Sequence, residues 1–273
     1  MTTLSSAEVG TDRNLRPRLA SALSDIAIVA GRELRPLLHS PFSLIFGMVQ
    51  PLVFLALFGP LLAGSMRDQP DGLGADVWQW FVPAILVMTT LFGTSTVGAT
   101  LLGEFLTGSH ERMLVTPLSR RSLLVGRALK EMVPLAGQAL VIILVMLPFG
   151  FELFPVGALL GLALLVLFGI GLGSLSYALA VAVRRTDWMF WVVHQTLLFP
   201  LMILSGMLLP LETGPSWMQA ASKLNPLAHM VTAERLLFAG RIDEPAVLWG
   251  FMAATLTAAV GLAVGIRAMR RSA

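Results

Sequence analysis

Residues with reactive side chains are few, and their spacing forms no catalytic set. Histidines stand at 39, 110, 194 and 229, scattered too widely to bind a metal by local spacing. His110-Glu111 opens the pattern by which a helix presents two imidazoles to zinc, but Leu114 occupies the closing position. Gly93-Thr94-Ser95-Thr96-Val97 has the first glycine and the serine of a nucleophile elbow and lacks its second glycine. There is no cysteine, which removes thiol catalysis, thiolate metal sites and disulfides. The lysines are Lys130 and Lys223, which follow Leu129 and Ser222. The Gly-Lys-[Ser/Thr] of a Walker A loop is therefore missing, and the chain does not hold ATP in that way.

The elements around these residues are written in the hydropathy. Of 273 residues 56% are apolar and 13% charged, against roughly 25% charged in soluble domains. Mean hydropathy is +0.79. A net charge of +3 with no large basic cluster speaks against nucleic acid as a partner, and the hydrophobicity speaks against disorder. Six uncharged runs reach the roughly 20 residues that cross a bilayer as helix. They are 42–66, 78–103, 133–151, 156–183, 188–211 and 247–266. The first begins too late and runs too long for a secretory signal. With the N-terminus inside, 15 of the 19 basic residues fall on the cytoplasmic side. The exceptions are Arg67, Lys223, Arg235 and Arg241. Trp78, Trp80, Trp188, Trp191 and Trp249 stand at the beginnings of spans, where an amphipathic ring anchors in the headgroup layer. The fold expected is all-α and integral to the membrane, with six transmembrane helices and both termini cytoplasmic.

The segments between spans are too short for a separate domain. Residues 1–22 read as a cytoplasmic tail. Residues 23–41 read as an amphipathic interfacial helix: Leu23, Ile26, Ala30, Leu34 and Leu37 repeat on one face, with Arg32, Glu33 and Arg35 elsewhere. Residues 42–270 form the six-span domain. Its cytoplasmic loop, 104–127, carries Glu111 and Arg112 beside Met113, Leu114 and Val115 before Pro117. Such a mixed helix suits a partner's groove, and an ordinary solvated loop is the alternative. On the other side, 205–240 is broken at Ser205-Gly206, Pro210 and Asn225-Pro226. Its apolar pieces are too short to span and read as outer re-entrant helices.

Polar groups inside the spans are sparse. None of the 16 carboxylates lies at the middle of a span, which disfavours proton- or sodium-driven transport. His194 and Gln195 lie seven and eight residues past Asp187, so about 10 Å deep. Phe92, His194, Gln195, Phe199 and Met202 are candidates for a substrate cavity, and packing against neighbouring helices is the other reading for each.

Four features in order give the chain a resemblance over about residues 25–270. They are the amphipathic helix before the first span; Glu104…Gly108…Glu111-Arg112…Thr116-Pro117; Ser205-Gly206…Pro210; and Asn225-Pro226-Leu227…Glu234-Arg235. Together they resemble the ABC type-2 exporter permeases, the daunorubicin-resistance-type branch in particular. The resemblance implies two six-span subunits, as a homodimer or with a paralogue, bound to two copies of a separate ABC ATPase. ATP and Mg would be held by that ATPase, and no cofactor by this chain. The loop holding Glu104, Gly108, Glu111, Arg112, Thr116 and Pro117 would act as the coupling helix, helped by the helix holding Arg32, Glu33 and Arg35. Ser205, Gly206, Pro210, Asn225, Pro226 and Arg235 would belong to an outer gate. An amphiphilic drug, antibiotic or lipid would leave across the cytoplasmic membrane. An ion-coupled carrier and a non-transporting membrane scaffold are the alternatives.

Overall fold

A computed structural model describes residues 41–66, 77–106, 120–184, 186–211 and 214–271. Among these the chain is helical, with no strand. The helices are α1 (Pro41–Met66), α2 (Val77–Gly93), α3 (Ser95–Leu106), α4 (Arg120–Met146), α5 (Pro155–Ala182), α6 (Asp187–Ile203), α7 (Ser216–Ser222), α8 (Pro226–Phe238) and α9 (Pro245–Arg271). Four stretches are long and apolar enough to cross a membrane: Val77–Phe105, Met132–Phe149, Pro155–Ala182 and Pro245–Arg270. Met48–Gly64 and Trp188–Ile203 are shorter apolar helices. The chain is thus a multi-pass membrane protein.

Three boundaries differ from the sequence expectation, each for a local reason. The run 78–103 is two helices, because α2 ends at Gly93 and α3 restarts at Ser95. Ser176 of α5 serves the break: its hydroxyl accepts from the Gly98 amide at 3.2 Å and lies 3.4 Å from the Ser95 carbonyl. The run 188–211 is helical only to Ile203. The chain then turns through Gly206, whose φ of +69° favours glycine over other residues. The segment 120–127, expected as loop, is the start of α4, since nothing from Arg120 to Val133 interrupts a helix.

The helix α2 is the axis of the bundle. Every residue from Phe81 to Leu91 is buried, and α1, α4, α5 and α8 pack around it. Thr89 and Thr90 donate their hydroxyls to the carbonyls of Ile85 and Leu86, which lets them sit in an apolar interior. A large core runs from Phe81, Ile85 and Met88 to Phe168, Met230 and Phe238. A second forms at the other end around Leu101, Tyr177, Phe190 and Met269. Large apolar side chains such as Leu57, Leu61, Leu144, Leu159 and Leu256 point outward, as a bilayer requires of a bundle's rim.

Glycine sets the closest contacts. Where α5 crosses α9, a Cβ on Gly171 would lie 2.7 Å from the Ala258 nitrogen, and one on Gly261 would strike the Gly171 carbonyl. Small residues at such crossings let helix backbones meet. Gly137 on α4, by contrast, faces open space. Gly171→Leu is expected to cost about 1–3 kcal/mol by overpacking, and Gly137→Ala to gain up to about 1 kcal/mol through helix propensity. Thermal unfolding of the purified chain in detergent measures both. Equal melting temperatures for the two variants would refute the close α5–α9 crossing.

Candidate functional site

The residues singled out at 205–235 converge at the end of the bundle where α2, α5 and α9 begin. Asn225 opens α8 as its N-cap: its Oδ1 accepts from the Leu227 amide at 3.0 Å, with Pro226 in the first helical position. Its Nδ2 donates to the Leu201 carbonyl at 2.7 Å, tying α8 to the last turn of α6. One buried amide therefore closes two helix ends.

Arg235 does similar work one face further on. Its Nε donates to the Trp80 carbonyl at 3.0 Å and an Nη to the Gly206 carbonyl at 2.9 Å. Its guanidinium carbon lies 3.7 Å from the centroid of the Trp80 ring. The side chain thus joins the start of α2 to the turn that follows α6. Planarity and several fixed N–H groups suit arginine to this double role. A cation over indole contributes about 0.5–2 kcal/mol. Ser205 tightens the same turn by donating to the Met202 carbonyl at 2.6 Å. Ser205, Gly206, Pro210 and Arg235 together border a polar cavity of about 230 Å³, with Ser222, Lys223 and Thr232 on its far wall.

Two further residues belong to this assembly. Gln79 donates to the carbonyls of Glu152 and Phe238, and its Oε1 accepts from the Glu152 amide at 3.1 Å. It joins α2, the α4–α5 connection and the end of α8, and a lone glutamine beside two tryptophans gave no sign of this in the sequence. Glu234 is wholly buried, and neither carboxyl oxygen has a hydrogen-bond partner. It faces Gly161 of α5, where a Cβ would lie 2.6 Å from Oε2. The spacing Gly157…Gly161 was the available signal, since small residues four apart make a notch on a helix.

The candidate cavity residues do not share one space. His194 is buried and stacks on Phe190, with centroids 5.6 Å apart. Met202 joins the main core, and Phe92 packs against it. Gln195 and Phe199 are exposed, one turn apart, beside the buried face of α6. Glu104 is partly exposed near the end of α3. Gly108, Glu111, Arg112, Thr116 and Pro117, and Arg32, Glu33 and Arg35 of the expected interfacial helix, lie outside the described residues.

A bundle of apolar helices with an outward-facing apolar rim, stapled at one end by buried polar side chains, defines a polytopic membrane protein. The family model described as ABC-2 type transporter matches residues 24–238, and the chain belongs to that family. It is 28% identical over 230 residues to a daunorubicin resistance ABC transporter permease of Streptomyces coeruleorubidus, covering 82% of this chain and 78% of that one. It is 32% identical over 218 residues to a putative transport permease of Cyanophora paradoxa, covering 79% and 74%. It is 23% identical over 164 residues to a probable multidrug ABC transporter permease of Escherichia coli K12, covering 59% and 44%.

Arg235→Ala is expected to lower stability by about 2–3 kcal/mol, since two buried carbonyls lose a charged donor. Arg235→Lys should recover less than half of the loss, because an ammonium cannot span both carbonyls and the ring. Thermal melts of the two variants in detergent test this. Full rescue by lysine would show that charge alone matters at this position.

Proposed function

We propose that the chain is the transmembrane permease subunit of an ATP-driven ABC exporter. It moves an amphiphilic drug, antibiotic or lipid outward across the cytoplasmic membrane. Family membership over 24–238, with a drug-resistance permease among the relatives, is the observation that carries this reading. The missing Walker A loop supports it, because a permease without one needs a separate ATPase. Two copies of that ATPase hold ATP and Mg. The chain makes six passes, with α1 and α6 as the first and fifth, both termini in the cytoplasm, and α7 and α8 as short re-entrant helices on the outer side.

The uncovered faces of α1 and α6 support a second permease subunit. Gln50 of α1 is exposed, as are Gln195 and Thr196 of α6, all at membrane depth. Polar side chains facing lipid are costly, so these faces suit a partner subunit or an enclosed cavity. The proposed cavity therefore forms between subunits, with Gln195 and Phe199 directed into it. Phe92, His194 and Met202 stand behind them as supporting wall.

Coupling is assigned to Glu104, Gly108, Glu111, Arg112, Thr116 and Pro117, seated in the ATPase, with Arg32, Glu33 and Arg35 on the helix beside them. ATP need only bind one conformation of the complex more tightly than the other to drive the switch. Ser205, Gly206, Pro210, Asn225, Pro226 and Arg235 form the outer gate in this scheme.

Glu104→Lys and Glu111→Lys reverse charge at the proposed contact. Both variants should reach the membrane in normal amounts. Both should lose at least about tenfold in ATPase co-purification, a coupling loss of about 1.4 kcal/mol. Amphiphile-stimulated ATP hydrolysis of the reconstituted complex should fall with it. Survival of both activities in both variants would overturn the coupling assignment.

A further inference from the structure

A second cavity, apart from the polar one described above, shares Pro226 with the residues already discussed. It is a groove of about 600 Å³ between α6 and α9, floored by α5 and closed at one end by the start of α8. Leu172, Leu198, Leu201, Leu256 and Val260 line it, and Trp249, Pro226 and His229 form its upper wall. The lining is almost wholly apolar. Leu197 of α6 and Leu248, Met252 and Leu256 of α9 stand exposed along its flanks. It therefore opens sideways, toward hydrocarbon rather than water.

Its length is informative. Trp249 and Val260 are eleven residues apart on one helix, about 16 Å at roughly 1.5 Å per residue. That is half of a hydrocarbon core about 30 Å thick, the depth of a single leaflet. The groove begins at Trp249, in the first turns of α9, and ends at Val260, near the middle of that helix.

One basic residue, Lys223, stands near the Trp249 end. The Lys223 side chain is exposed beside Leu224, which lines the mouth. No carboxylate pairs with Lys223 among the described residues. The Lys223 carbonyl receives the His229 ring at 3.0 Å, and that ring tilts toward Trp249 with centroids 6.4 Å apart. Lys223 also borders the polar cavity that holds Ser222 and Thr232, so hydroxyl groups lie on the same side.

We infer that this groove is a binding site for one anionic phospholipid of the leaflet at the Trp249 end. An acyl chain lies between α6 and α9, and the phosphate sits at Lys223. An apolar trough of this kind has acyl chains as its solvent, and a lysine near its mouth, without a carboxylate partner among the described residues, selects a negative headgroup. Only the naming of that leaflet as the outer one rests on the orientation proposed above. The bound lipid fills the gap between α6 and the rest of the bundle, so it bears on how α6 moves.

Native mass spectrometry of the full-length permease, purified without the ATPase and incubated with equal phosphatidylglycerol and phosphatidylcholine of one chain length, tests the site. The wild type should retain one phosphatidylglycerol per chain, preferred about fivefold, the worth of one basic residue at a membrane surface. Ala253→Trp fills the groove and should remove the retained lipid of both kinds. Lys223→Gln, an exposed change that leaves the fold alone, should keep a retained lipid but make the two headgroups equal. No retained lipid on the wild type, or an unchanged preference in Lys223→Gln, would overturn the inference. Because the chain has no cysteine, a Met252→Cys variant reports a second occupant directly. Disulfide-linked dimers forming there in membranes would show a second copy filling the groove and would also sink the idea. Lipid retention is read without ATP, so a failure of ATP-driven export leaves this result standing.

Discussion

Hydrocarbon offers no hydrogen bonds, so every backbone amide and carbonyl at depth must find a partner within the chain. The rest of the structure depends on that constraint. It accounts for the helices, and it dictates where side chains with polar ends are placed when the helix stops. Ser176 reaches the α2–α3 break. Asn225 and Arg235 serve the carbonyls released where α6 ends and the chain turns. The polar residues in the interior are thus concentrated where backbone continuity fails. Thr89 and Thr90, inside a continuous helix, simply bond back to their own turn.

The same constraint explains why the bundle is packed unevenly. Between apolar helices in lipid the hydrophobic effect gives little drive, and close van der Waals contact decides which helices pair. Glycine permits that contact at Gly171 and Gly261 for α5 and α9, and at Gly157 and Gly161 for α5 and α8. These three helices, with α2 beside them, make the rigid part of the molecule. By contrast, α6 meets a glycine at its first turn, where Phe190 packs on Gly98 of α3; it is tied at its far end through Asn225 and leaves a groove beside α9. Few buried contacts mark the elements that move most easily. In the proposed exporter, α6 is therefore the mobile wall, and α5 with α9 the frame against which it shifts.

Much of this was legible in advance. Hydropathy located the apolar runs, because a helix must carry about 20 apolar residues to cross. The punctuation at Ser205-Gly206, Pro210 and Asn225-Pro226 located the broken segment. What these residues do there was not legible. That Arg235 would reach both Trp80 and Gly206 depends on α2 and α6 meeting at one point, and no local pattern encodes a meeting of elements 155 and 29 residues away. The break at Thr94 was hidden for a related reason. Gly93-Thr94-Ser95 is tolerable within a helix, and only Ser176 arriving from α5 makes the interruption cheap. Glu234 was legible as part of the Asn225-Pro226-Leu227…Glu234-Arg235 element, but its complete burial was not, because that depends on the notch that Gly157 and Gly161 make on a distant helix.

The reactive residues that opened the chain's reading lead to a consistent end. Ser95, which stands where a nucleophile elbow would need its serine, donates its hydroxyl to the Phe92 carbonyl. His194 lies against Phe190, and His229 closes on a backbone carbonyl. These groups make local contacts: Ser95 at the α2–α3 break, His194 within α6 and His229 at the start of α8. In the proposed exporter the energy comes from the ATPase, received at one end of the bundle and expressed as a change of shape at the other. The stapled end and the loosely held α6 supply the two properties that such a task requires: a fixed point and a part that moves relative to it.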